Sequence, residues 1–198
     1  RWGCFDYNQQ EPRLVVHYAA LQNLYGVDEV LEAYKKGDAD FHSIVADMAD
    51  IPRFQAKTIN LGLFYGMGKN KLQAELGVNK ERAQELFQQY HGRVPFVKQL
   101  MDAVMKRAQD SGKIRTLLGR LCRFHLIQGS AADMTKKAMI ELYKAGIIPH
   151  IQVHDELDIS VKDDKQAKQI VEIMESAVGL EVPNKVDYES GKNWGDIK

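Results

Sequence analysis

His154, Asp155 and Glu156 sit inside the clearest alternating stretch of the chain. Ile151, Val153, Leu157, Ile159 and Val161 take turns there with polar residues. Asp155 falls in phase with the apolar set, so unbroken alternation would point a carboxylate at the core. A buried carboxylate costs several kcal/mol unless a cation meets it. The other reading is that the strand turns at these residues, which resets the phase and leaves an exposed turn acid. A second aspartate, Asp6, ends the apolar run Cys4-Phe5 and is followed by Tyr7-Asn8-Gln9-Gln10-Glu11. Two carboxylates at strand tips are ligands suited to Mg²⁺, a hard cation that takes oxygen donors. A pair of such ions braces the attacking and leaving oxygens of an in-line phosphoryl displacement.

The third constellation is Arg53, Lys57, Leu61 and Tyr65, four residues apart throughout. On a helix they run along one face. Arg grips phosphate bidentately, Lys acts as a point charge, and the apolar and aromatic side chains suit a base or sugar. An ordinary amphipathic helix with surface cations would share this spacing. Other motifs fail on inspection. Gly62 to Asn70 is one residue too long for a phosphate-binding loop and lacks its Ser or Thr. His150 and His154 have no third metal ligand in view, and no Gly-x-Ser-x-Gly elbow occurs.

These side chains need elements to hold them. The chain has 198 residues, 44% hydrophobic and 27% charged, enough for a sizeable core and too apolar for disorder. No apolar run approaches a bilayer span. Two cysteines, Cys4 and Cys122, cannot build a disulfide framework, so a reducing compartment is expected. The opening Arg1-Trp2-Gly3, without a Met, reads as a fragment. Net charge is zero, but residues from Asp155 onward hold eleven acids and six lysines, leaving +5 on residues 1–154. Between Ile51 and Ala74 lie four cations and no acid, a local positive face of the kind that one polyanionic ligand requires.

The patterns predict a strand at Trp2–Tyr7, a helix opening at Pro12, and a short helix capped by Asp40 through Ile44, Val45 and Met48. Further helices are expected from Arg53 to Tyr65, from Asn79 to about His91, and from Pro95 to Gly112. A hairpin over Lys113–Phe124 turns near Gly119. A helix spans Gln128–Ala145, the alternating strand follows, and a helix from Asp164 to Val178 precedes an edge strand at Lys185–Tyr188. Strands and helices mix without a β-α-β rhythm, which predicts an α+β fold.

Taken together, these stretches resemble the polymerase domain of family A DNA polymerases. Asp6-Tyr-Asn-Gln-Gln-Glu11-Pro-Arg13 is similar to the family's first motif, Arg53 to Gly66 to its fingers helix, and Val153-His-Asp-Glu156 to its third motif. Asp40-Phe-His42, Gln128 to Asp133 and Glu189 to Trp194 fit other segments in order. The resemblance implies an antiparallel palm sheet with helices plus helical fingers, without thumb or exonuclease domains. It assigns 1–50 to the first part of the palm, 51–112 to the fingers and 113–198 to the rest of the palm.

By the same resemblance, Asp6 and Asp155, helped by the Tyr7 carbonyl, would hold two Mg²⁺ ions (Mn²⁺ substituting), with Glu156 a secondary acid beside them. Arg53, Lys57 and His42 would bind the dNTP triphosphate, with Gln9 nearby. Glu11 would crowd the sugar 2′ position, Tyr65 packing beside it, and Leu61 would face the sugar and base. Gln128, His154 and Gly66 would contact DNA. The implied activity is template-directed addition of dNTPs to a primer in the cytoplasm, the host's for a phage enzyme, on primer-template DNA and beside other replication proteins. Two departures stand out. Leu61 replaces the family's usual aromatic residue, and Phe124 runs straight into His125 to Gln128, an apparent internal deletion near 124–126. A fragment that binds nucleotide or nucleic acid without polymerising, and a two-metal phosphohydrolase, are the competing readings.

Overall fold

The structure, a computed structural model, describes residues 1–37, 40–49, 51–123 and 125–197. Phe124, the predicted end of the hairpin and one edge of the apparent deletion, lies outside the described residues, as do the side chains of Val45 and Met48. Strand β1 (Trp2–Tyr7) pairs with β5 (Glu156–Ser160) on one side and β6 (Val186–Gly191) on the other. With β4 (Ile151–Val153) beyond β5, the order is β4-β5-β1-β6 and every pair is antiparallel.

Side chains alternate across this sheet. Phe5, Tyr7, Leu157, Ile159 and Val186 enter the core on one face. They share it with α1 (Gln10–Leu21), α8 (Leu126–Lys144) and α9 (Asp164–Ser176) through Leu14, Val15, Met134, Leu142, Ile170 and Met174. Phe5 stacks on Tyr188 at 4.8 Å, and the Tyr7 hydroxyl donates to the Met174 carbonyl at 2.6 Å. The opposite face carries Cys4, Asp6, Glu156, Asp158, Asp187 and Glu189, which oppose one another in register.

The other helices are α2 (Val27–Lys35), α3 (Phe41–Ala49), α4 (Arg53–Phe64), α5 (Lys69–Leu76), α6 (Lys80–Arg93) and α7 (Pro95–Ser111). Phe41 meets Phe64 and Phe96, which joins α3, α4 and α7 around one aromatic centre. Asn79 caps α6 by accepting from the Arg82 N–H at 2.8 Å, and Gly112 closes α7 in the left-handed conformation. Strands β2 (Ile114–Arg115) and β3 (Leu121–Cys122) form the hairpin expected around Gly119. The α+β expectation holds. No described helix is long and apolar enough to cross a membrane.

Two details differ from the sequence reading, and one open alternative is decided. Helix α1 starts at Gln10, two residues before Pro12, because Gln9 takes a left-handed conformation (φ 52°) that ends the strand first. Helices α2 and α5 were not expected. Of the two readings of the alternating stretch, the turn holds: it is two strands, because Val153 pairs with Glu156 across a turn made by His154 (φ 55°) and Asp155. The phase therefore resets, and Ile151 and Val153 fall on the carboxylate face, partly exposed, while Leu157 and Ile159 fill the core.

Candidate functional site

Asp6 is the penultimate residue of β1 and lies opposite Glu156, the first residue of β5. Asp155 is the turn residue just before it. Pairing therefore carries the two aspartates to the same end of neighbouring strands, with Asp6 exposed and Asp155 half-buried. Burial pushes the Asp155 carboxyl up; its own N–H, His154 and Lys57 pull the other way. The Tyr7 side chain points into the core, so its backbone carbonyl is the group left for a ligand at this end.

Glu11, one residue into α1, lies beside this pair. Burial raises its carboxyl, the Tyr65 hydroxyl donates to Oε1 and lowers it, and the charge of Asp155 raises it again. Tyr65, at the end of α4, is about half exposed. Across the cleft, Arg53 and Lys57 occupy successive turns of α4, and both are exposed. The Arg53 Nε–H donates to Asp40, which also caps α3 by accepting from the His42 N–H at 3.0 Å and the Ser43 hydroxyl at 2.9 Å. Burial alone would raise Asp40, but these donors together hold it below the usual carboxylate range. Leu61 is half-buried against the core.

His42 is only 4% exposed, and its Nδ1 lies 3.0 Å from the buried Asn60 amide nitrogen. The amide donates, so Nδ1 accepts and the ring's proton belongs on Nε2. Burial drives the pKa down to about 4, with Arg53 and Lys57 adding to the effect against Asp40. His42 is therefore a neutral donor at pH 7. Gln9 is committed too. Its carbonyl oxygen accepts from the Tyr34 hydroxyl at 3.1 Å and the Phe41 N–H at 2.9 Å, which ties the start of α1 to the start of α3.

Gly66 (φ 76°) and the exposed Gln128 border an apolar cleft of about 280 Å³ between α4, α7 and the start of α8, where His125 also lies. His154 is exposed at the hairpin turn. The sheet end thus gathers Asp6, Glu11, Tyr65, Asp155 and Glu156, with Lys57 close enough to act on Asp155, while Arg53 is held by Asp40. Gln128 and Gly66 stand at the neighbouring cleft.

Several organising residues escaped sequence reasoning. Arg13, 6% exposed, donates to the Asn8 carbonyl at 2.7 Å and the Pro183 carbonyl at 2.6 Å, and stacks over Tyr34 at 4.7 Å. It fixes the loop that follows Asp6. Asn60 and Asp158, both fully enclosed, gave no local signal.

A sequence model of DNA polymerase family A matches residues 2–126 and 124–196. The chain belongs to that family. The DNA-directed DNA polymerase of Pseudomonas phage M6 is 38% identical to it over 252 residues, an alignment covering 98% of this chain and 38% of the phage protein. DNA polymerase I of Geobacillus stearothermophilus is 34% identical, with 98% and 26% covered. The solved POL domain of Pol1 from M. smegmatis, in complex with DNA primer-template and dNTP, superposes with a TM-score of 0.84 at 29% identity. It covers 98% of this chain and 40% of that one. The family A chain thus spans between about a quarter and two fifths of the relatives it matches.

Proposed function

We propose that this chain is the palm and fingers portion of a DNA-directed DNA polymerase, adding dNTPs to a primer 3′-hydroxyl on a DNA template. The observation that carries the reading is the strand pairing that brings Asp6 and Asp155 to the same end of neighbouring strands, with Glu11 and Lys57 near enough to act on that pair's charge. Residues 1–50 and 113–198 supply the palm and 51–112 the fingers, and the protein works in the cytoplasm, the host's for a phage enzyme.

Family A polymerases use divalent metal ions. The donor set here fits Mg²⁺, or Mn²⁺ in its place, because Asp6, Asp155 and the Tyr7 carbonyl offer only oxygens and Asp155 is partly desolvated without a bonded cationic partner among the described residues. Two such ions, when bound, would supply the Lewis-acid charge that an in-line phosphoryl transfer needs. The chain's own groups do the rest. Arg53 exchanges Asp40 for the triphosphate while Lys57 adds a point charge, and the neutral His42 offers its Nε2–H. Gln9 keeps α3 in position for that contact. Glu11, oriented by Tyr65, closes the space beside the sugar C2′ against a hydroxyl, and Leu61 packs on the sugar and base. Glu156 stands next to the aspartates, and Gln128, His154 and Gly66 face the DNA.

The second reading is a binder of nucleotide or DNA that does not polymerise. It is favoured by the two family-matched pieces meeting at residues 124–126, and by the alignment over 252 residues against a chain of 198. Both support a segment missing at that join, beside the open apolar cleft. Primer extension with and without Mg²⁺ separates the readings. Lengthening that Asp6→Asn and Asp155→Asn each abolish supports the polymerase; a gel shift without lengthening supports the binder.

A further inference from the structure

The carboxylate face of the sheet carries a second cluster, one residue pair deeper than Asp6. Cys4 opposes Asp158 as Asp6 opposes Glu156. Directly opposed residues share a face, and so do residues two apart, so these four side chains form a two-by-two ladder. Its outer rung begins at the exposed Asp6. Its inner part is enclosed, with Cys4 4%, Glu156 9% and Asp158 0% exposed. One ligand atom from each of these three lies within 4.8 Å of the others. The Cys4 thiol donates to Asp158 Oδ1 at 2.6 Å, while Asp158 Oδ2, fully buried, has no hydrogen-bond partner among the described residues. An enclosed carboxylate oxygen without a donor is costly, and a cation is one of the few groups that can relieve it.

We propose that Cys4, Glu156 and Asp158 bind a divalent transition-metal ion, preferentially Zn²⁺, in a structural centre distinct from the Asp6–Asp155 pair. The thiolate makes the choice. Sulfur with two carboxylate oxygens suits zinc, whereas Mg²⁺ takes oxygen alone. As the sulfur–metal bond forms, the thiol gives its proton to solvent and the carboxylates bind as anions, so the ion meets three negative ligands. A second carboxylate oxygen, or a water entering from the Asp6 end, completes the tetrahedron. The ion would lock β1 to β5 about 7 Å below Asp6, two residues along the strand, and fix Glu156 at the edge of the reaction site. This inference rests on the sheet alone and stands whether or not the chain polymerises.

The test uses the 198-residue chain, stripped with chelator and titrated with Co²⁺ as a spectroscopic stand-in. The expected result is a thiolate-to-cobalt charge-transfer band saturating at one ion per chain, displaced by Zn²⁺ and untouched by excess Mg²⁺. Cys4→Ser removes the band and Asp158→Asn weakens Co²⁺ binding by roughly tenfold or more, whereas Asp6→Asn and Cys122→Ser keep both. Zn²⁺ should also raise the melting temperature of the wild-type chain, a readout that does not depend on any variant folding. A wild-type chain with no band, a band lost with Cys122 instead of Cys4, or a melting temperature indifferent to Zn²⁺ would each overturn the proposal.

Discussion

His42 offers a measurable link between the buried ring that braces α3 against α4 and the stability of the whole chain. Its pKa falls from 6.5 to about 4 on folding, because burial penalises the imidazolium and the charges of Arg53 and Lys57 outweigh what Asp40 gives back. Above pH 6.5 both folded and unfolded forms are neutral and the group contributes nothing to pH dependence. Between pH 6.5 and 4 the unfolded chain takes up a proton that the folded chain refuses, so stability falls as the pH is lowered. A fall from 6.5 to about 4 corresponds to at most about 3.4 kcal/mol. The interval from pH 7.5 to 4.5 stops short of the folded pKa, which brings the expected loss to about 2 kcal/mol. The assay is urea denaturation of the wild type and His42→Gln at pH 7.5 and 4.5. Wild type should lose about 2 kcal/mol more than the variant across that interval. His17 and His91, also depressed by burial, titrate in both proteins and cancel in the difference. If the two proteins lose stability equally, His42 is not the buried neutral base described here.

The remaining expectations concern α4 and the packing behind it. Arg53→Ala and Lys57→Ala should each weaken dNTP binding, read by equilibrium titration, by about tenfold, and Lys71→Ala on α5 should not; equal losses at all three would mean a diffuse basic surface. On the proposed placement Leu61 brings no ring plane and no hydroxyl to the sugar, so Leu61→Tyr, in a longer chain carrying a thumb and the proposed missing segment, should raise the ratio of dideoxynucleotide to deoxynucleotide incorporation a few-fold to about tenfold. An unchanged ratio would mean that this position does not face the sugar. A Cβ at Gly129 would stand 2.6 Å from the Thr116 methyl, so Gly129→Ala should cost about 1–3 kcal/mol in denaturation. A neutral result there would contradict the seating of α8 on the β2–β3 hairpin.

How far the site was legible turns on one turn. The residue types at Asp6, Asp155, Arg53 and Lys57 announced phosphate chemistry, and Asn79, Pro95 and Gly112 announced helix ends by chemistry that acts within a few residues. What brings Asp6 to Asp155 is a strand pairing across about 150 residues, and no local pattern encodes such a contact. The alternation at 151–161 left two readings open because a two-residue turn moves the phase by one, and a one-residue shift sends every later side chain to the other face. Its chemistry is hidden as well. The left-handed residue is His154, where Gly or Asn would have flagged a hairpin. Helix α2 was legible in retrospect, since Val27, Val30 and Tyr34 are buried at helical spacing; α5 buries only Leu72 and gave little to read. Gln9 and His154 are two of the three described non-glycine residues with positive φ, and they flank the stretches that carry Asp6 and Asp155. Such conformations cost on the order of 1 kcal/mol each and persist where surrounding contacts hold them. Gln9 is held by Tyr34 and Phe41, and the His154 carbonyl accepts from the Gln152 side chain at 3.1 Å. The backbone is therefore bent against preference at both ends of the carboxylate pair, so that a strand and a hairpin turn, each ordinary alone, deliver two acids to one sheet end.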